Sequence, residues 1–421
     1  MLVSVKINNC LIFNKEAEFS MQANMHYKRF SSNVARVGNI NILKAAVLIG
    51  PNNSGKTNFI RVLRFLKSVM LNIDEKPAAN LFSNDPLVEL AVDFLDKGKE
   101  YLFEIKYDTS KAEYVYERFA EILRDQYANY KENNILVRDS ANKDYYAEDM
   151  DLSAAMRVAS RNNILIYLVD TGSFAVLQAV KEAITSFASK IDIVDMNNIP
   201  IKKTIDMLKR SEEEHKRIAN FVLNSDLYLD DYKYLNDDEV KIELRAQNLD
   251  DEVPQENALR LAAPLAEMLH LASVYKGVVV PSMLFDSTGT KKMAALASYV
   301  IDALENDRIL VIDELDNSLH FRLTRAIMAM FNNELNKGAQ LIATVHDVSL
   351  LDCQTLFRKE QIWFTHKDKD GVYLYSLSEF TAEKDGIRDT TDLISKYRKG
   401  VFGALPEPDL FKSLQEVKNN A

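Results

Sequence analysis

The run "KAAVLIGPNNSGKTNFIRVLRFLKSVML" (44–71) constrains the fold of this chain more than any other stretch. Its apolar start, 44–49, predicts a buried strand, and Phe59, Ile60, Leu63, Leu66 and Met70 recur at helical spacing after it. Between them Gly50 and Gly55 bracket Pro51, Asn52, Asn53 and Ser54, and Lys56, Thr57 and Asn58 follow. A strand, a glycine-bracketed loop and a helix in that order converge backbone N–H groups on one point, a cradle for phosphate. In such a loop the lysine reaches the β/γ-phosphates and the hydroxyl that follows meets Mg²⁺. The loop therefore predicts nucleotide binding by Gly50–Asn58, with Thr57 at the metal. It does not distinguish substrate, fuel or switch.

Size and composition narrow the rest. The chain has 421 residues, 47% apolar and 27% charged, a globular balance with room for two domains or one carrying an insertion. Its longest apolar runs, such as "ILIYLV" (164–169), are too short to span a bilayer. The N-terminal segment alternates like a strand and lacks the basic-then-apolar order of a signal peptide. Two cysteines make no disulfide framework, so a cytoplasmic location without membrane contact is expected. A formal charge of −10 argues against a surface that binds nucleic acid throughout, and leaves room for a local basic groove.

Along the chain, residues 1–20 read as a β-hairpin, and 87–95 and 100–108 as two strands joined by "DKGK". From 126 to 265 the pattern is mainly helical and polar, with 202–223 as one amphipathic helix. Within it, 226–252 holds ten acidic residues against three basic ones, read as a solvated connector. Strand and helix patterns resume near 275, with helix 291–306, strand 308–313, helix 321–336, strand 340–345 and a hairpin over 361–377. The expected division is 1–125 and 266–421 as two lobes of one nucleotide-binding head, with 126–265 inserted.

Three further motifs carry chemistry. In "RILVIDELDNSLH" (308–320) Asp313 ends a buried strand, where α/β sheets place ligands, and suits a water-bridged Mg²⁺ ligand. Glu314 follows, suited to polarise an attacking water. "FDSTGTKKM" (285–293) opens a helix with hydroxyls and a glycine, either a helix cap or a second anion site. "LIATVHD" (341–347) ends a strand at His346, which could touch a γ-phosphate or its attacking water. His26, His215, His270 and His366 are read as structural, and "HKDKDG" (366–371) as a hairpin turn.

Phosphate loop, insertion, signature turn, Asp-Glu pair, Asp316 and strand-ending histidine stand in an order that resembles ABC-type ATPase heads of the SMC and RecF kind. "FDSTGTKKM", "LVIDELDNSLH", "GAQLIATVHD" and "YRKGVFGALP" (397–406) further resemble the AbiLi/RloA-like ATPases of phage-defence loci. The resemblance implies an α/β P-loop NTPase of ABC-head type, with a mixed sheet core, an added antiparallel lobe and a mainly helical insertion. It implies ATP and Mg²⁺ held in a sandwich between two copies. Ser287 and Gly289 would touch the γ-phosphate bound by the other copy, Asp316 would lie at the seam, and His346 would act as the switch histidine. Thr288 replaces a glycine of the usual signature, and Phe321 stands where a proline is common.

These observations predict a slow, regulatory ATPase with Glu314 and His346 as catalytic residues. It would form a homodimer or larger homo-oligomer through its ATP sites and control a separate effector such as a nuclease. A phage-derived trigger and DNA are further partners it leaves open. No arm of heptads is seen and no fused nuclease is expected, so toxic chemistry is expected to belong to a separate partner. The alternative is a RecF-like DNA-maintenance ATPase. A P-loop kinase for a small molecule ranks last, because it leaves the signature turn, Glu314 and His346 idle.

Overall fold

The computed structural model describes residues 1–24, 27–127, 129–225, 228–246, 268–369, 371–388, 390–405, 410, 411, 415 and 417. The expectations for His26, for residues 247–265 and for Pro406 lie outside them. The chain divides into two compact units, one of Leu2–Ser189 with Thr344–Ala421 and one of Lys190–Ala343 with Met1.

The first unit opens with β1 (Leu2–Asn8) and β2 (Ala17–Ser20), antiparallel as expected. After the small pair β3 (Val34–Val37) and β4 (Ile40–Leu43) comes β5 (Ala45–Ile49), buried at every position. β6 (Leu87–Asp96), β7 (Lys99–Asp108), β8 (Glu113–Arg124), β9 (Tyr130–Asp139) and β10 (Asp144–Ala147) follow. They join the first two strands in a seven-stranded sheet of order β10-β9-β8-β7-β6-β1-β2, antiparallel throughout. One face is apolar and takes two helices. Phe187 of helix Ala175–Ser189 stacks on Phe94 at 4.3 Å. Phe59 of helix Lys56–Leu71 lies 4.8 Å from Phe19 on β2, and Phe19 lies 4.9 Å from Trp363. All five apolar positions expected on that helix are buried.

Two buried arginines tie irregular chain to this unit. Arg138 pairs with Glu117 inside the protein and donates to the carbonyls of Ser160 (2.9 Å) and Asn163 (3.0 Å). Arg358 donates to the carbonyls of Asn24 (3.0 Å), Tyr27 (2.9 Å) and Arg29 (3.2 Å) and pairs with Glu360. A planar fork with five donors can hold three backbone carbonyls and a carboxylate together, more acceptors than the three donors of a lysine ammonium serve.

In the second unit, β11 (Ile191–Asp195) runs parallel to a later strand, while β12 (Asp231–Tyr234), β13 (Leu271–Tyr275) and β14 (Val278–Pro281) form a separate antiparallel sheet. β15 (Ile309–Asp313) pairs in parallel with β11 and with β16 (Gln340–Val345), in a register that sets Asp195 beside Asp313. β15 is buried throughout, as a strand covered on both faces must be. Helix Thr288–Glu305 starts three residues before the expected 291, because Ser287 caps it. The helix expected over 202–223 is two, Lys202–Arg210 and Glu212–Leu223, broken at Ser211. Ser211 is extended and its hydroxyl accepts from Glu214 N, which starts a new helix. Both pack on helix Thr288–Glu305 through a core that includes Ile205, Leu208, Ile218, Ala294 and Ala297. Helix Phe321–Phe331 stops short of the expected 336. The Asn336 amide takes the Phe331 carbonyl at 2.7 Å.

The chain leaves this unit within β16 and returns to the first. There β17 (Ile362–Asp368) lies parallel to β5, and β18 (Gly371–Ser376) closes the expected hairpin. Among the described residues no helix is long and apolar enough to cross a membrane.

Candidate functional site

The phosphate loop joins β5 to helix Lys56–Leu71, the context its sequence predicts. Ser54 is buried, and its hydroxyl lies 2.6 Å from that of Thr365 on β17, which anchors the loop from beside. Asn53 and Gly55 have φ of +61° and +117°. A Cβ on Gly55 would also approach Val372 to 2.9 Å, so this position requires glycine twice over. Asn52, Asn53 and Thr57 are exposed, and Pro51 and Asn58 are half-buried.

Lys56 is 6% exposed. Its ammonium donates to the carbonyls of Gly50 (2.6 Å) and Pro51 (3.0 Å) and lies 3.5 Å from His346 Nδ1. The lysine thus curls into its own loop, and the first unit brings it to the strand-ending histidine. The helix start has neither a side-chain cap nor an acidic residue in its first turn. The positive end of the helix dipole and the Lys56 ammonium both suit an anion. A nucleotide phosphate fits this donor set, and the exposed Thr57 hydroxyl fits a metal beside it.

The second unit holds the other motifs. Asp313 ends β15 and is 8% exposed; its carbonyl accepts from Met196 N at 3.1 Å. Glu314 follows with φ +56°, and its Oε2 accepts from Asn197 (3.0 Å) and Asn317 (3.1 Å). Asp316 lies half-buried in the same turn. Among the described residues no group of three or more His, Cys, Asp or Glu side chains is placed to hold a metal ion by itself. Any ion at Asp313 would need water or phosphate oxygens to complete its shell.

Ser287 is the cap of helix Thr288–Glu305, with its Oγ accepting from Thr290 N at 3.1 Å. The capping reading of this turn is therefore present in the fold. Just before it, the buried Asp286 accepts from Ser282 (2.5 Å), Ser273 (2.6 Å) and Tyr275 (2.7 Å), fastening the turn to β13. Burial and this carboxylate push the Tyr275 phenol up, so it stays a donor. Burial pulls the Lys292 ammonium down, against the charges of Glu314 and Asp195.

Sequence reasoning missed Asn197, Asn317, Lys292, Thr365 and Asp286. Only "IDIVD" before Asn197, a strand pattern inside a stretch read as helical, offered a signal. Of the histidines read as structural, His215 lies 3.1 Å from the Tyr232 carbonyl and His270 2.8 Å from the Leu235 carbonyl.

A family model described as "AAA domain, putative AbiEii toxin, Type IV TA system" matches residues 45–352. No curated protein matches the chain. Similar solved structures include an Smc head bound to the C-winged helix domain of ScpA (13% identity, TM-score 0.45, 91% of this chain and 99% of that one). Another is the SMC head domain from Thermotoga maritima (12%, 0.41, 89% and 98%). A third is an Smc head with an extended coiled coil bound to the C-terminal domain of ScpA, derived from Pyrococcus furiosus (13%, 0.38, 94% and 99%).

Proposed function

The chain belongs to that AAA family, and on this premise we propose that it is an ATP-binding and hydrolysing switch. ATP closes two copies around shared sites, and the assembly controls a separate effector in anti-phage defence. The observation that carries the nucleotide part is the phosphate loop. Its lysine is satisfied by its own loop's carbonyls, and the helix behind it starts without a cap.

On this reading Lys56 exchanges the carbonyls of Gly50 and Pro51 for β/γ-phosphate oxygens. The loop N–H groups over Asn53–Thr57 bind the phosphates, and Asn58 supports the helix start. Thr57 and Asp313 hold Mg²⁺, which neutralises phosphate charge when bound. Glu314 orients and polarises the attacking water, and His346 contributes at the γ-phosphate end. Ser287 and Gly289 of the second copy contact that phosphate, and Asp316 lies at the seam. The family's description as a putative AbiEii toxin of a type IV TA system supports a role in such a system, and the resemblance of the motif blocks to AbiLi/RloA-like ATPases supports defence as its purpose.

Two measurements test this reading. Phosphate release from ATP without any acceptor should occur with the native protein and be lost in Lys56→Ala. Glu314→Gln with ATP and Mg²⁺ should accumulate a dimer or larger species by light scattering. A persistent monomer under those conditions overturns the sandwich, and absence of ATP binding overturns the whole reading.

A further inference from the structure

The surroundings of Glu314 are more fully built than a water-polarising carboxylate needs. Its left-handed backbone is closed by a turn in which Asn317 N donates to the Glu314 carbonyl at 2.8 Å. The Asn317 amide nitrogen donates to Glu314 Oε2 (3.1 Å) and to Asn197 Oδ1 (2.7 Å), using both of its protons. Asn197 then turns its own amide nitrogen to the same Oε2, at 3.0 Å. Asn317 Oδ1 accepts from Lys292 Nζ and from Ser318 Oγ, both at 3.0 Å. These bonds fix which end of each amide is nitrogen and which is oxygen, so neither amide can flip without breaking them.

Both ends are fastened. Asn197 follows β11, where Asp195 Oδ1 takes its N–H at 2.8 Å and Met196 N bonds the Asp313 carbonyl. Lys292 belongs to helix Thr288–Glu305 and also reaches the Asn317 carbonyl at 3.2 Å. In the first turn of that helix, a Cβ on Gly289 would come within 2.9 Å of the Ser318 carbonyl. Helix and turn are therefore in direct contact, with no side chain between them.

We propose that Asn197 and Asn317 are positioning residues for Glu314, and that Lys292 ties their orientation to the helix that begins at Ser287. The inference rests on the reading in which Glu314 polarises the attacking water. A carboxylate displaced by ~1 Å from its working geometry can lose on the order of 100-fold in rate. Displacement of the first turn of helix Thr288–Glu305 passes through Lys292 and Asn317 to Glu314 by hydrogen bonds alone.

The test compares Asn197→Ala, Asn197→Asp and Lys292→Met in the full chain. Asn197 is exposed, so these changes spare the core. We expect Asn197→Ala to lower kcat about 10-fold, with KM, affinity for a fluorescent ATP analogue and thermal midpoint unchanged. Hydrogen exchange over 314–318 should quicken in the same variant. Asn197→Asp, equal in shape but placing a carboxylate against Glu314, should be slower than Ala. Lys292→Met should resemble Asn197→Ala, and the double variant should be no slower than either single one. If Asn197→Asp restores what Ala loses, the side chain merely fills space and the proposal falls. It falls too if kcat stays within about 2-fold of the native value, below the effect a misplaced group produces. A native protein that binds no ATP removes the ATPase reading itself, a different result from native turnover with inert Asn197 variants.

Discussion

Gly55 and Lys56 divide the work of the phosphate loop between backbone and charge. Gly55 supplies a conformation and a closeness to Val372 that no other residue tolerates. Gly55→Ala should cost at least about 1 kcal/mol in urea unfolding and weaken ATP binding more than tenfold by calorimetry. Asp93 makes a second residue-scale point. Burial, then the neighbouring Glu100 carboxylate, raise its pKa from 3.8 to about 8, with Arg124 opposing. A carboxyl raised on folding binds more protons in the native state, so the contribution of Asp93 to stability is full below pH 3.8 and is lost as pH rises towards 8. Asp93→Asn should flatten that fall, measured as unfolding free energy at pH 5 and at pH 8.

At the scale of elements, caps and aromatic contacts decide more than periodicity does. Phe59 sits on the phosphate-loop helix against Phe19, wholly buried. Phe59→Ala should destabilise the first unit by about 3–5 kcal/mol in denaturant titration. Ser211→Ala should cost ~1 kcal/mol, because it removes the acceptor that starts helix Glu212–Leu223. The strand, loop and helix of 44–71 were legible because apolar runs, glycine spacing and helical periodicity agree there. The join at Ser211 was not, since a capping serine and an exposed helical serine look alike in one sequence. β9 was hidden for a related reason. Residues 130–134 are polar and mostly exposed, and their pairing with β8 supplies what an apolar pattern would otherwise announce. The acids Asp313 and Glu314 were legible from the buried strand before them. Their amide partner Asn197 was not, because over a hundred residues separate it from Glu314 and only the register of β11 with β15 brings them together.

For the whole molecule, nucleotide binding to the native state alone should raise stability by mass action. ATP at 100 times its Kd would add about 2.7 kcal/mol, seen as a rise in thermal midpoint that Lys56→Ala abolishes. The same scale gives the pairing of β17 with β5 a consequence in time. β5 is made early, but its neighbour Ile362–Phe364, the Thr365 hydroxyl against Ser54 and the Arg358 fork around Asn24–Arg29 all come some three hundred residues later. A ribosome adding ~5–20 residues per second leaves the loop without them for about 15–60 s. During that interval the nascent chain carries the phosphate-loop sequence without the strand that supports it. Protection of the phosphate-loop segment by nucleotide is therefore expected only in chains long enough to have exposed Ile362–Thr365.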